Sequence, residues 1–233
     1  VTSIGPEDGG SGGVVQVVAF DVNETLFSLV RMRPAFEVAG LDPAQVPLWF
    51  ARLLRDGFAL TAAGDYRPFS ELAASALRDV GQGGVDDGTV EQVLAAFSEL
   101  DPHPDVAPAF ELLREADVRI VTLTNGAAAL TAGLLERAGL SSYVERCLSV
   151  EEVRRWKPAP EPYLHAAAES GVAPGRMALV AAHSWDCDGA RRAGLVTGWV
   201  SRLEGRPPDV FARSDVEGDD LVEVARGLLA LGR

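Results

Sequence analysis

The stretch VVQVVAFDVNETLF, residues 14–27, decides the fold. Its first seven residues are apolar except Gln16 and rich in valine, with no alternation of faces. That pattern suits a strand buried on both sides within a parallel sheet. Asp21 follows directly, which places a carboxylate at the carboxyl edge of the strand, where open α/β sheets bind their ligands. An acid there can serve as nucleophile, metal ligand or helix cap. This segment alone does not choose among them.

Working outward, a second such run is VRIVTLT at 118–124 and a third is MALVAA at 177–182, with shorter candidates at 147–150 and 195–200. Between them lie helical patterns at 127–138, 160–170 and 186–193, each followed by a glycine (Gly139, Gly171, Gly194), the usual signal of a helix end. An amphipathic pattern at 219–231 closes the chain. Strands alternating with helices of this length imply a parallel sheet covered on both faces. Residues 28–101 break the rhythm with three helical patterns, 43–60, 69–80 and 89–100, and no convincing strand between them. Asp101-Pro102-His103-Pro104-Asp105 reads as a hinge back into the sheet. The expected layout is a glycine-rich flexible leader at 1–13, an α/β core from 14–27 and 106–233, and a helical cap at 28–105 over the strand ends.

Composition narrows the function classes. Apolar residues make up 47%, yet no stretch approaches the roughly 20 consecutive apolar residues of a membrane span. The first residues have neither a basic nor an apolar segment, so they do not read as a signal peptide. Two cysteines, Cys147 and Cys187, make no disulfide framework, and a reducing cytoplasm is the expected compartment. The net charge of −13 argues against nucleic acid and anionic membranes as partners, because both need basic footprints. A small anion needs only a local positive pocket. Lysine occurs once, at Lys157, against 20 arginines, and asparagine only at Asn23 and Asn125. A compositional drift from Lys to Arg accounts for the scarcity but not for the position that resisted it. Arginine cannot replace lysine where a compact ammonium must fit.

Four polar clusters fall at the ends of successive strands: Asp21-Val22-Asn23-Glu24-Thr25, Thr124-Asn125-Gly126, Lys157-Pro158, and Trp185-Asp186-x-x-Gly189-Ala190. In a parallel sheet these ends converge on one crevice. In this order, with an insert after the first, the clusters resemble the four motifs of the haloacid dehalogenase superfamily, over the chain from Val14 onward. The resemblance implies a Rossmann-like core, Asp21 as nucleophile, Thr124 as the hydroxyl orienting the substrate, Lys157 neutralising the carboxylates, and Asp186 as the last acidic residue. The phosphatases of that superfamily resemble Asp-x-Asp at the first motif, and here Asn23 holds the second position, unable to act as general acid. They also carry an acid shortly before the final motif, where this chain has Val180-Ala181-Ala182-His183 and lacks that magnesium ligand.

A closer resemblance is to the type II, L-2-haloacid, dehalogenases. It lies in Lys157-Pro158-x-Pro160-x-x-Tyr163, in Ser184-Trp185-Asp186-x-x-Gly189-Ala190, and in the cap from Leu48-Trp49 to Tyr66-x-x-Phe69. It implies dehalogenation of short 2-haloalkanoic acids through an aspartyl ester, with no metal and no cofactor. Val22 N–H, Thr124 Oγ and Asn125 N–H would then hold the substrate carboxylate, with Trp185 as a pocket wall. A magnesium-dependent phosphatase, or a hydrolase of a non-halogenated 2-substituted acid, stands as the alternative. The expected partner is a small anionic molecule, and a homodimer is left open.

Two positions depart from the family. Where it has a halide-cradling arginine after the cap tryptophan, this chain has Phe50, and Arg52 and Arg55 lie about 200° and 140° around the helix from it. Where many relatives have asparagine, it has His183. Some relatives with a first motif like this one pair the motif's glutamate with a histidine here, so Glu24 and His183 are expected to form a dyad activating the hydrolytic water. Each also has a plainer reading, Glu24 as a helix-start carboxylate and His183 as a packed imidazole. Tyr163 is equally a packing residue or a substrate contact. Cys187 reads as a small buried side chain.

Overall fold

The computed structural model describes residues 14–232. The leader expected at 1–13 lies outside them.

The chain enters the sheet at β1 (Val17–Phe20) and leaves through a two-residue strand, β2 (Phe27–Ser28). It then runs through helices α1 (Met32–Val38), α2 (Val46–Ala62), α3 (Phe69–Val80) and α4 (Asp87–Ala95). It returns at β3 (Asp101–Pro102), which pairs antiparallel with β2 through Phe27 opposite Pro102 and Ser28 opposite Asp101. The hinge expected at Asp101–Asp105 therefore begins with a paired strand. Next come α5 (Val106–Glu115), β4 (Arg119–Thr124), α6 (Ala128–Arg137) and β5 (Arg146–Ser149). The chain continues through α7 (Pro160–Glu169), β6 (Met177–Ala181), α8 (Ser184–Arg192), β7 (Val196–Val200), β8 (Val216–Gly218) and α9 (Leu221–Ala230).

Six strands form one sheet in the order β5-β4-β1-β6-β7-β8, and every neighbouring pair is parallel. β1 sits inside the sheet with all four residues buried, as its unbroken apolar run requires. Its side chains serve two cores. Val18 and Phe20 join Phe110 of α5 and Val224 of α9 on one face. Val17 and Ala19 join Ala166 of α7 and Ala190 of α8 on the other. From β1 the chain builds β4 and β5 on one side and β6 to β8 on the other, so the strand order reverses around Asp21. A crevice opens at such a reversal, at the strand carboxyl ends.

The helices between β2 and β3 continue the first core. Trp49 of α2 is fully buried, and its indole N–H donates to the Ala73 carbonyl of α3 at 2.9 Å. The seam with the sheet is Trp156, which stacks on Phe69 at 6.0 Å and donates through its indole to the Arg67 carbonyl. Gly57 permits this contact, since a Cβ there would lie 2.6 Å from the Trp156 ring. Among the described residues no helix is long and apolar enough to cross a membrane.

Candidate active site

Asp21 stays tied to the sheet after β1 ends, its amide donating to the Val180 carbonyl at 3.0 Å. The chain then turns tightly, with Leu26 and Phe27 amides both donating to the Val22 carbonyl. Glu24 takes a φ of 63° in that turn, a left-handed conformation that side chains other than glycine adopt at a cost. The turn swings Thr25 back over the strand end. Its hydroxyl donates to Asp21 Oδ2 at 2.7 Å and accepts the Ala182 amide at 2.9 Å.

Lys157 reaches the same point from the loop after β5 and is fully buried. An ammonium has three N–H donors, and each has an acceptor here: Asp21 Oδ1 at 2.9 Å, Asp186 Oδ2 at 2.7 Å and the Leu123 carbonyl at 2.8 Å. Its backbone is set by Asn125, whose Oδ1 accepts the Lys157 amide at 3.0 Å. Thr124 Oγ accepts the Gly126 amide, and the Gly126 carbonyl accepts the Ser149 hydroxyl. Asp186, in the first turn of α8, takes the Tyr163 hydroxyl on its second oxygen at 2.6 Å. Tyr163, left open in the sequence, therefore neither only packs nor reaches outward: it holds a carboxylate.

His183 ends the loop after β6, with Nδ1 3.3 Å from Asp21 Oδ2. This is not the pairing expected with Glu24. The Glu24 carboxylate accepts the Leu29 amide at 3.0 Å, an interaction that also steadies the turn, and no hydrogen bond joins it to His183 among the described residues. Both side chains nevertheless line one cavity, together with Phe50. Phe50 lies 6.2 Å from the His183 ring, and Trp185 lies 5.2 Å from it and packs edge-on against Phe58. Arg52 and Arg55 are engaged elsewhere, with Asp79 and Asp56.

The ionisation of the cluster follows from burial and these partners. Burial pushes the Asp21 carboxyl up, but Lys157, His183 and Thr25 more than reverse this and hold it well below the usual carboxylate range. Asp186 goes the other way: burial, reinforced by the charge of Asp21, raises it against the pull of Lys157. Burial opposes the charged forms of Lys157 and His183, yet the carboxylates win and raise both. The arrangement keeps an ionised carboxylate, poor in water, at the head of a crevice. Burial pushes the Cys187 thiol well up, so it stays a small buried side chain, as its surroundings in sequence suggested.

Among the described residues no three His, Cys, Asp or Glu side chains are placed to hold a metal ion. A family profile of haloacid dehalogenase-like hydrolases matches residues 15–194. The chain belongs to this family. Among its haloacid dehalogenase-like relatives is (S)-2-haloacid dehalogenase 4A of Burkholderia cepacia, 29% identical over 84% of this chain and 86% of that one. Another is (S)-2-haloacid dehalogenase 1 of Pseudomonas sp. (strain CBS-3), 27% identical over 93% and 98%. The structure of L-2-haloacid dehalogenase from Xanthobacter autotrophicus superposes with a TM-score of 0.84 at 24% identity, covering 91% of this chain and 98% of the other, and shares the fold.

Of the residues that build this haloacid dehalogenase-like site, Thr25 stood in the first polar cluster without a role. The only signal for one was a hydroxyl four residues beyond Asp21. The site also depends on Gly189, one turn beyond Asp186. A Cβ there would lie 2.5 Å from Pro158 Cβ and 2.8 Å from the Tyr163 hydroxyl. Gly189→Ala is expected to cost about 1–3 kcal/mol by overpacking, lowering the melting midpoint by roughly 2–10 °C. An unchanged midpoint in calorimetry would show that α8 can move aside freely.

Proposed function

We propose that the chain removes halide from 2-haloalkanoic acids through an ester on Asp21, without a metal ion. The observation that carries this is the state of Asp21: ionised by Lys157 and pinned by Thr25 at the strand end, with lone pairs to spare on its oxygens. In the first step one Asp21 oxygen forms a bond to C2 of the acid, and the halide leaves with the C–X electron pair. In the second, water adds to the Asp21 carboxyl carbon, gives up a proton to a nearby base, and the ester breaks to a 2-hydroxy acid and a free carboxylate. Val22 N–H, Thr124 and Asn125 are assigned to the substrate carboxylate and Trp185 to the pocket wall. Residues 28–105 act as the cap and 14–27 with 106–233 as the core. The relatives named as (S)-2-haloacid dehalogenases support the substrate class.

The donor set does not fit a magnesium ion. The Lys157 ammonium already supplies positive charge to both Asp21 and Asp186, and Asn23 and Ala181 stand where phosphatases place further acids. These residues favour the metal-free reading over the phosphatase alternative. Two free cysteines, one half-buried and one buried, support a reducing cytoplasm.

Halide release from 2-chloropropanoate, with and without EDTA, tests the reading. Equal release in both is expected, and phosphate release abolished by EDTA would reverse it. A 2-hydroxy product formed from a non-halogenated acid would instead select the other alternative. Asp21→Asn is expected to lower turnover at least ~10⁴-fold in a protein that still folds, since an amide does not attack carbon. Repeated turnover in ¹⁸O water should place label in the Asp21 carboxylate. Its absence there would exclude the ester.

A further inference from the structure

A cavity of about 280 Å³ adjoins the nucleophile without including it. Its lining includes Glu24 and His183, and the His183 imidazole reaches from it to Asp21, with Nδ1 3.3 Å from Oδ2. Most of the remaining lining is apolar, Leu29, Val46, Phe50 and Leu54 among it, and Arg33, an exposed side chain, adds a cation to it. The volume equals that of about nine water molecules at ~30 Å³ each, whereas the side group of a three-carbon 2-haloacid is one methyl. Phe50 now has a physical consequence. An arginine at this position would put a second cation beside Arg33 in the lining, and phenylalanine adds apolar surface instead.

The outer wall is fixed as well. Leu203 lines the cavity although it is 47% exposed, an unfavourable place for a free leucine. It is held there from both sides. Arg202 pairs with Asp105 at the foot of α5, and the Glu204 carboxylate accepts the Ser184 amide and hydroxyl at the start of α8. A concave, mostly apolar space with a few polar groups is the usual form of a small-molecule site.

We infer that this cavity receives an apolar C2 substituent of several carbons, so that the substrates are medium-chain 2-haloalkanoic acids rather than the shortest ones. The inference rests on the dehalogenase reading above and names its substrate class. Burying one methylene is worth about fourfold in an equilibrium constant. Going from 2-bromopropanoate to 2-bromohexanoate adds three methylenes, and kcat/KM for bromide release should rise at least ~10-fold.

A second measurement separates the two readings. Calorimetric affinity for the product-like acids lactate and 2-hydroxyhexanoate needs no turnover, and the longer acid should bind at least ~10-fold more tightly. Ala51→Phe, on the solvent side of α2 and in the cavity lining, should bring both ratios down towards one. An affinity that is flat or falls with chain length overturns the inference, whatever the halide assay gives. Bromide release from no member of the series overturns the dehalogenase reading, and the affinity series then still decides what the cavity holds.

Discussion

Lys157→Arg is expected to lose at least about 10³-fold in kcat/KM, nearly as much as Lys157→Ala, a difference of ~4 kcal/mol in transition-state stabilisation. The acceptors explain why a second cation fails. Asp21 Oδ1, Asp186 Oδ2 and the Leu123 carbonyl converge within 2.7–2.9 Å of one nitrogen, which suits the tetrahedral donors of an ammonium. A guanidinium spreads its donors around a plane and cannot aim three of them at one point. It is also larger, and Lys157 is fully buried, so the extra atoms must displace the strand ends that position Asp21. Lys157→Ala clashes with nothing but leaves a cavity and two buried carboxylates without their counter-charge, a loss of roughly 3–5 kcal/mol of stability. It should also change the acid limb. Asp21 titrates below its ordinary range in the native protein, so its contribution is complete above about pH 4 and fades as pH falls. Without Lys157, burial dominates, the carboxyl rises, and the ionised nucleophile should be lost at higher pH. Near-native activity in the arginine variant, measured beside its melting curve, would show that Lys157 is only a counter-charge.

The sheet was legible because its signals are long and local. Each of the five strands expected from sequence needs only an apolar run, and β1, β4 and β6 are buried on both faces as such runs imply. β8 escaped notice because three half-buried residues, Val216–Gly218, carry no pattern. So did α1, seven residues with Pro34 inside it, too short for a helical period to stand out. At the site, the convergence of Asp21, Thr124, Asn125, Lys157 and Asp186 followed from their all ending parallel strands. What sequence order does not encode is which side chain meets which. Tyr163 finds Asp186, and His183 finds Asp21 rather than Glu24, because those pairings depend on rotamers and on the left-handed turn at Glu24.

The contact between His183 and Asp21 makes the second half-reaction the more informative one. In the free enzyme the Asp21 charge and hydrogen bond raise the imidazole against the effect of burial. On the proposed route an ester on Asp21 would remove that charge, leaving burial and Lys157 to push the imidazole down against the weaker pull of Asp186. A neutral imidazole is what a general base must be, so alkylation of Asp21 would itself arm His183 for the water. The competing base, Asp186, is fully buried and held by Lys157 and Tyr163, whereas His183 lines the cavity, where water can reach it. His183→Ala is therefore expected to release a burst of about one halide per active site and then stall, because attack by an ionised carboxylate needs no base while ester hydrolysis does. The trapped ester should appear as added mass on the peptide containing Asp21, and steady turnover should fall by ~10²–10⁴-fold. Glu24→Gln should slow the same step by less than about tenfold, since Glu24 makes no bond to the imidazole and can act on it only by charge across the shared cavity. Should Asp186→Asn trap the ester while His183→Ala turns over normally, the water belongs to Asp186 and the imidazole is packing.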